Sequence, residues 1–307
     1  MTKQVAFVFP GQGSQAVGMG RNLYEKSDTA RKVFDQAQEI LEMDVKRLCF
    51  EGPEEDLRQT KNTQPTIAIT SIAAFEVLKE HGFTPAAAAG HSLGEYSALY
   101  AAGSFNLDGV LNAVKHRGAL MNIKNPGTMA AIIGFEEAQL KALCDTTQGR
   151  VVVANYNAPD QLVIAGDEES LGTVCEQAKS AGAKRVIPLV VGGAFHSPLM
   201  KNAAVEFEKY LANISIADAR IPVVMNATAE PATDAETIKK NLAIQILSPV
   251  RWSDSIRKIG GMGIKTFVEV GPGRVLTGLV RRILPDAVTA SFSTMEDLPT
   301  IESLLRG

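Results

Sequence analysis

Gly90-His91-Ser92-Leu93-Gly94 is a G-x-S-x-G. In an α/β protein this pattern sets a serine on a tight strand-to-helix turn, with its hydroxyl exposed for nucleophilic attack. The glycines answer a steric need, because such a turn packs too closely for a Cβ beside the serine. The main-chain N–H of Leu93, at the start of the following helix, can then face an oxyanion. An inert serine on a small-residue turn would show the same five letters, so the rest of the chain has to decide.

A base is needed to take the serine proton, and the chain has four histidines. His81 falls in a polar helix end and His116 on a polar helix face, both read as solvated. His91 sits inside the serine turn, where it packs. His196 precedes a helix that Ser197 can cap and Pro198 can begin, at the end of a strand. It is the candidate base, set against the alternative of a hydrogen-bonded loop histidine. No Asp or Glu is singled out by pattern as a third member.

Arg117 is the third residue of interest. Val110, Val114, Arg117 and Met121 fall at i, i+4, i+7 and i+11 of a helix, so the guanidinium shares the apolar stripe. A buried cation needs a partner. That partner is an internal carboxylate, or the side chain snorkels to water. The functional reading is a bidentate clamp on a substrate carboxylate, a task suited to Arg.

The elements that position these groups follow from the pattern. Residues 5–9 form a short, continuous apolar strand of the buried parallel kind. It runs into Pro10-Gly11-Gln12-Gly13-Ser14-Gln15-Ala16, which contains G-x-G-x-x-A. A dinucleotide fingerprint would need a second strand ending in an acidic residue about 20 positions on. Residues 29–41 are helical in pattern instead. The loop is better read as a source of a second oxyanion N–H. Residues 64–80 form a helix that is apolar nearly all round. Ala86-Ala87-Ala88-Ala89 precedes the serine turn, and propensity alone would not make it a strand. Helices are expected over 108–121, 235–247, 252–259 and 275–284, and strands over 221–225 and 266–270.

Between these, the pattern changes to strand 129–134, helix 136–146, strands 151–156 and 161–165, helix 168–181 and strand 185–191. The order β-α-β-β-α-β is ferredoxin-like. The fold class expected is therefore α/β: an α/β-hydrolase-like main domain with a parallel sheet, residues 1–127 and 197–307, and an inserted small ferredoxin-like subdomain, residues 128–196. A cleft between the two is the natural ligand site.

Composition excludes several function classes. Of 307 residues 45% are hydrophobic and 21% charged, with a net charge of −3, so nothing argues for nucleic acid. No apolar run approaches the ~18 residues of a membrane span. The N-terminus lacks the apolar core and cleavage site of a signal peptide. Cys49, Cys144 and Cys175 are odd in number and widely spaced, which suits a reducing cytoplasm and forms no metal motif.

Six ordered fragments carry a resemblance: Gly11-Gln12-Gly13-Ser14-Gln15; Gly90 to Tyr96; Arg117-Gly118; Gly193-Ala194-Phe195-His196-Ser197; Gln245 with Pro249-Val250-Arg251-Trp252; and Glu269-Val270-Gly271-Pro272-Gly273. Together, from about residue 4 to residue 290, they resemble the malonyl-CoA:acyl carrier protein transacylases of fatty-acid synthesis and the related acyltransferase domains of polyketide synthases. The resemblance implies Ser92 as nucleophile, His196 as base, and an oxyanion hole from the N–H groups of Gln12 and Leu93. It implies Arg117 as the ligand of the malonyl carboxylate and the Gln245 carbonyl as the group orienting His196. Met121, Asn155 and Phe195 would line the pocket. Ser248 stands where some members carry Asn, so polar contacts there can differ.

The implied reaction is ping-pong transfer of malonyl from malonyl-CoA to the phosphopantetheine thiol of an acidic holo-acyl carrier protein. The chain is expected to act as a cytoplasmic monomer without metal or organic cofactor, CoA being part of the substrate. Lys184, Arg185, Arg281 and Arg282 are the candidate carrier-docking residues, against ordinary solvated charge. Two other readings stay open: a discrete acyltransferase of a polyketide synthase, and a serine acyl-thioester hydrolase.

Overall fold

The computed structural model describes residues 4–122 and 127–306; Met1-Thr2-Lys3, part of the N-terminal reading, lie outside them. Strand β1 (Val5–Phe9) is buried at every position, as its unbroken apolar run requires. It pairs in parallel with β2 (Ala87–Gly90) on one side. On the other side it pairs in parallel with the strand Thr266–Val270.

Of the strands that come between β2 and that strand in the chain, the first four build a separate sheet: β3 (Thr128–Ile133), β4 (Val151–Ala158), β5 (Gln161–Gly166) and β6 (Arg185–Pro188). Their order is β4-β5-β3-β6, with all pairs antiparallel. Helices Glu137–Thr146 and Glu168–Ser180 complete the ferredoxin-like β-α-β-β-α-β order. The main sheet continues with β7 (Val223–Val224), β8 (Pro231–Ala232), β9 (Thr266–Val270) and β10 (Val288–Phe292). Its order is β10-β9-β1-β2-β7-β8, parallel throughout except for β8. This is the mixed α/β architecture with a parallel main sheet and a second small sheet that the pattern implied.

β2 shows why propensity failed. Its alanines are packed on both faces: Ala88 joins the core beneath Phe7 and Phe9, while Ala87 and Ala89 join a second core around Trp252 and Ile256. Small side chains let helix Gly94–Ala101 lie close against the strand. Tertiary packing overrides the intrinsic preference there.

Several boundaries differ from the pattern. The buried helix runs Thr60–Glu80, beginning before Pro65 rather than at residue 64. β6 ends at Pro188, so His196 stands in a loop, not at a strand end. Ser197 does cap the following turn, accepting the Leu199 N–H. His116 stacks on Tyr210 with ring centroids 4.3 Å apart instead of standing free in water.

Candidate active site

The parallel pairing of β1 and β2 puts their C-terminal loops side by side. Phe9 is level with Gly90, and the His91 N–H donates to the Phe9 carbonyl at 3.0 Å. Two glycines permit the turn. A Cβ on Gly90 would stand 1.8 Å from the Gly94 carbonyl carbon, and one on Gly94 would stand 2.0 Å from the Phe9 oxygen. Between them Ser92 is held at φ 51°, a left-handed conformation that non-glycine residues adopt at a cost.

Asn226 holds this turn from β7's side of the sheet. Its Oδ1 accepts the Ser92 N–H at 2.7 Å and its Nδ2 donates to the Gly90 carbonyl at 2.6 Å. The Asn226 N–H in turn donates to Glu95 Oε1 at 2.5 Å.

Ser92 Oγ lies 2.7 Å from His196 Nε2. His196 Nδ1 faces two carbonyls, those of Gln245 at 3.0 Å and Ser248 at 3.1 Å. Carbonyls only accept, so Nδ1 carries the proton and Nε2 is left to accept from the serine hydroxyl. No carboxylate touches the imidazole among the described residues. The Ser248 contact is made by its main chain, so an Asn-to-Ser exchange at that position leaves it intact. Burial, and then the nearby Arg117 charge, push the imidazole down to about 3, so it is neutral at ordinary pH.

Arg117 is 1% exposed, on helix Leu107–Met121, as the apolar stripe implied. Its Nη1 donates to Gln64 Oε1 at 2.8 Å. Its Nη2 donates to Gln245 Oε1 at 2.9 Å and to Ser92 Oγ at 3.1 Å. The guanidinium carbon stands 5.5 Å from the centre of the Tyr96 ring. Arg117 does not snorkel, and it has no direct carboxylate partner among the described residues. The guanidinium rests on neutral amides, and the carboxylate of Glu95 is reached only through Gln245, whose Nε2 donates to Glu95 Oε2 at 2.5 Å. Burial lowers the guanidinium's proton affinity, yet arginine stays charged. Burial raises the Glu95 carboxyl to about 7, against the pull of its two N–H donors and the Arg117 charge.

The main-chain N–H groups of Gln12 and Leu93 have no acceptor among the described residues. Gly11, next to Gln12, packs so closely that a Cβ there would stand 2.2 Å from the His91 oxygen. Two free N–H groups are thus brought to the serine turn, the arrangement that stabilises an oxyanion.

Met121 is reached through Gln64, whose Nε2 donates to its sulfur at 3.4 Å. Phe195, next to the base, is buried in the same core as Met121 and Leu93. Asn155 lies on β4 and bridges to Val250, two residues beyond Ser248. It makes no side-chain bond to Ser92, His196 or Arg117. His91 packs on Trp252 and bonds Asn157 Oδ1 at 2.8 Å through Nε2. Glu269, of the last sequence fragment, caps helix Val275–Ile283 by accepting the Thr277 N–H at 2.8 Å.

The basic residues are not equivalent. Ile133 is level with Gln161 on one side and Arg185 on the other, and Arg282 reaches Asp160 at 3.0 Å and Gln161 at 2.5 Å. Lys184, Arg185 and Arg282 therefore gather at one end of the small sheet, while Arg281 turns to β10 of the main sheet. Arg282 is engaged by Asp160, and Arg281 donates to Thr289 Oγ1 at 2.7 Å. Arg185 is exposed and has no ion pair within the described residues. Lys184 packs its stem against Gly134.

Gln64, Glu95 and Asn226 were not found from the sequence. Gln64 had one available signal, a polar residue on a helix apolar all round. Glu95 had another, a carboxylate directly after the nucleophile motif.

Residues 6–301 match the family model of the acyl transferase domain. A malonyl CoA-acyl carrier protein transacylase of Bacillus subtilis is 46% identical over 301 residues, 96% of this chain and 95% of that protein. The solved malonyl CoA-acyl carrier protein transacylase of Coxiella burnetii superposes with a TM-score of 0.97 at 36% identity, over 100% of this chain and 99% of that one. A malonyl-transacylase solved in complex with a type II polyketide acyl-carrier protein gives a TM-score of 0.94 at 38% identity, over 97% of this chain and 98% of that one.

Proposed function

The chain belongs to the acyl transferase family, and from that premise we propose that it carries the malonyl group of malonyl-CoA to the phosphopantetheine thiol of a holo-acyl carrier protein, supplying fatty-acid synthesis. The observation that carries the reading is the cation beside the nucleophile: Arg117 Nη2 and His196 Nε2 both reach Ser92 Oγ, at 3.1 and 2.7 Å. A hydrolase of neutral esters has no use for a buried guanidinium at that oxygen. An acyl group with a free carboxylate does.

In the reaction, His196 Nε2 takes the Ser92 proton as Oγ bonds to the thioester carbon. The oxyanion lies against the N–H groups of Gln12 and Leu93, each donor worth about 3–4 kcal/mol. The C–S bond then breaks and the CoA thiolate takes the proton from the imidazolium, leaving a malonyl ester on Ser92. In the second half His196 takes the proton of the incoming pantetheine thiol. Sulfur bonds to the ester carbon, and Ser92 leaves with the proton.

The donor carboxylate exchanges for the Arg117 bond to Ser92 Oγ, freeing an oxygen lone pair for attack on the thioester carbon. It also neutralises a charge that depresses the basicity of His196. The correct acyl group thus improves its own base, whereas acetyl does not. Two carbonyls hold the imidazole in place of a triad aspartate. Phe195 and Met121 shape the pocket, and Asn155 forms part of its wall.

The two separate sheets support a division into a main unit, residues 1–127 and 197–307, and a subdomain, residues 128–196, with His196 at their junction. The carrier protein docks at the basic end of the small sheet. No metal or organic cofactor takes part in these steps. The chain works as a cytoplasmic monomer; no described helix is long and apolar enough to cross a membrane. Transfer of labelled malonyl from malonyl-CoA to a holo-carrier thiol tests the reading. Free malonate released with no labelled carrier would contradict it.

A further inference from the structure

Glu95 is wholly buried beneath the nucleophile turn, and no step above uses it. Its Oε1 accepts the Asn226 main-chain N–H and its Oε2 accepts Gln245 Nε2, both at 2.5 Å. The second contact gives the Gln245 amide a fixed sense. Nε2 is committed to two acceptors, Glu95 Oε2 and the Ser92 carbonyl at 2.9 Å, so Oε1 is left facing Arg117 Nη2. An ionised carboxylate only accepts. A reversed amide would set oxygen against carboxylate and NH2 against guanidinium. Gln64, the other amide on Arg117, lacks such a fixing: among the described residues its Nε2 reaches only the Met121 sulfur.

We propose that Glu95 is a positioning residue for donor recognition: by setting the sense of the Gln245 amide it holds the Arg117 fork in register with Ser92. The inference rests on the malonyl-transfer reading. It makes Glu95 act on the choice between acyl groups, beyond supporting the fold.

Glu95→Gln keeps the shape and reverses one contact. The Asn226 N–H cannot turn round, so the new amide oxygen stays on it and the new NH2 meets Gln245, which must flip. Ser92 acylation by malonyl-CoA and by acetyl-CoA is measured at pH 8, above the value of about 7 to which burial raises the Glu95 carboxyl. The malonyl-to-acetyl ratio is expected to fall roughly tenfold, the scale of a lost hydrogen bond to a charged group.

Equal losses for both donors in Glu95→Gln would overturn the proposal. If Glu95→Gln does not fold, Glu95→Asp keeps an acceptor-only group. A ratio within about threefold of wild type then supports the proposal, and a tenfold fall overturns it. A wild type without malonyl preference would overturn the functional reading itself, and this inference with it. A preference that survives every change at Glu95 would overturn this inference alone.

Discussion

Arg117 donates from Nη2 to Ser92 Oγ across 3.1 Å, so the cation that would select the acyl group touches the atom that would carry it. Selection and chemistry share one oxygen. Arg117→Ala should lower Ser92 acylation by malonyl-CoA about 100-fold, within the range for truncating one side of a buried charge pair. Acetyl-CoA acylation should not fall, because acetyl offers nothing to the fork and the charge that depresses His196 is gone. Single-turnover acylation with both donors checks this. Equal losses would remove Arg117 from donor selection.

His196 should stay neutral across the working range. Its folded value, about 3, lies below the ordinary 6.5, so folding favours the neutral ring. The associated stability is complete above about pH 6.5 and is lost as the pH falls toward 3. An NMR titration of the His196 ring should show the Nδ1-protonated neutral tautomer from pH 8 down to 5. A midpoint near 6.5 in the unliganded protein would show that burial and Arg117 do not act on the ring as described.

Asn226→Ala removes the acceptor of the Ser92 N–H and the donor to the Gly90 carbonyl together. Two buried main-chain groups lose their partner, at about 1–3 kcal/mol each. Thermal unfolding should show a destabilisation of roughly 2–4 kcal/mol, and the folded fraction should acylate more slowly with malonyl and acetyl donors alike. An unchanged melting temperature would mean that Ser92 keeps its left-handed conformation without this support.

The basic cluster yields a graded expectation. Arg282 already spends its charge on Asp160, while Arg185 is exposed without an ion pair among the described residues. Arg185→Glu should raise the KM for holo-carrier protein severalfold and become salt-sensitive, with the KM for malonyl-CoA unchanged. Arg282→Glu should do less to carrier binding and should loosen the contact between the helix Val275–Ile283 and the small sheet. A carrier KM unmoved by Arg185→Glu would remove this end of the sheet as the docking site.

The motifs that carry chemistry were legible because each answers a local need. A tight turn demands Gly90 and Gly94, a capped helix start follows His196, and helical spacing places Arg117 inward. The alternating elements of the small sheet were legible from their change of period. β2 was not, because its strand state comes from neighbours on both faces rather than from alanine. β10 and helix Leu298–Arg306 were not read at all. Gln64, Glu95 and Asn226 stayed hidden for a related reason. They join residues 53 to 150 positions apart, and nothing in a local pattern says which buried amide faces which donor. A buried arginine did announce that partners exist. Only the folded chain shows that they are two glutamines, with the carboxylate one bond further out.

The central claim is tested most directly by incubating the purified protein with malonyl-CoA alone and taking its intact mass, followed by peptide mapping. The account predicts one malonyl adduct, on Ser92, absent in Ser92→Ala, discharged by holo-acyl carrier protein and only slowly by water. An adduct on another residue, or steady release of malonate with Ser92 never acylated, would contradict it.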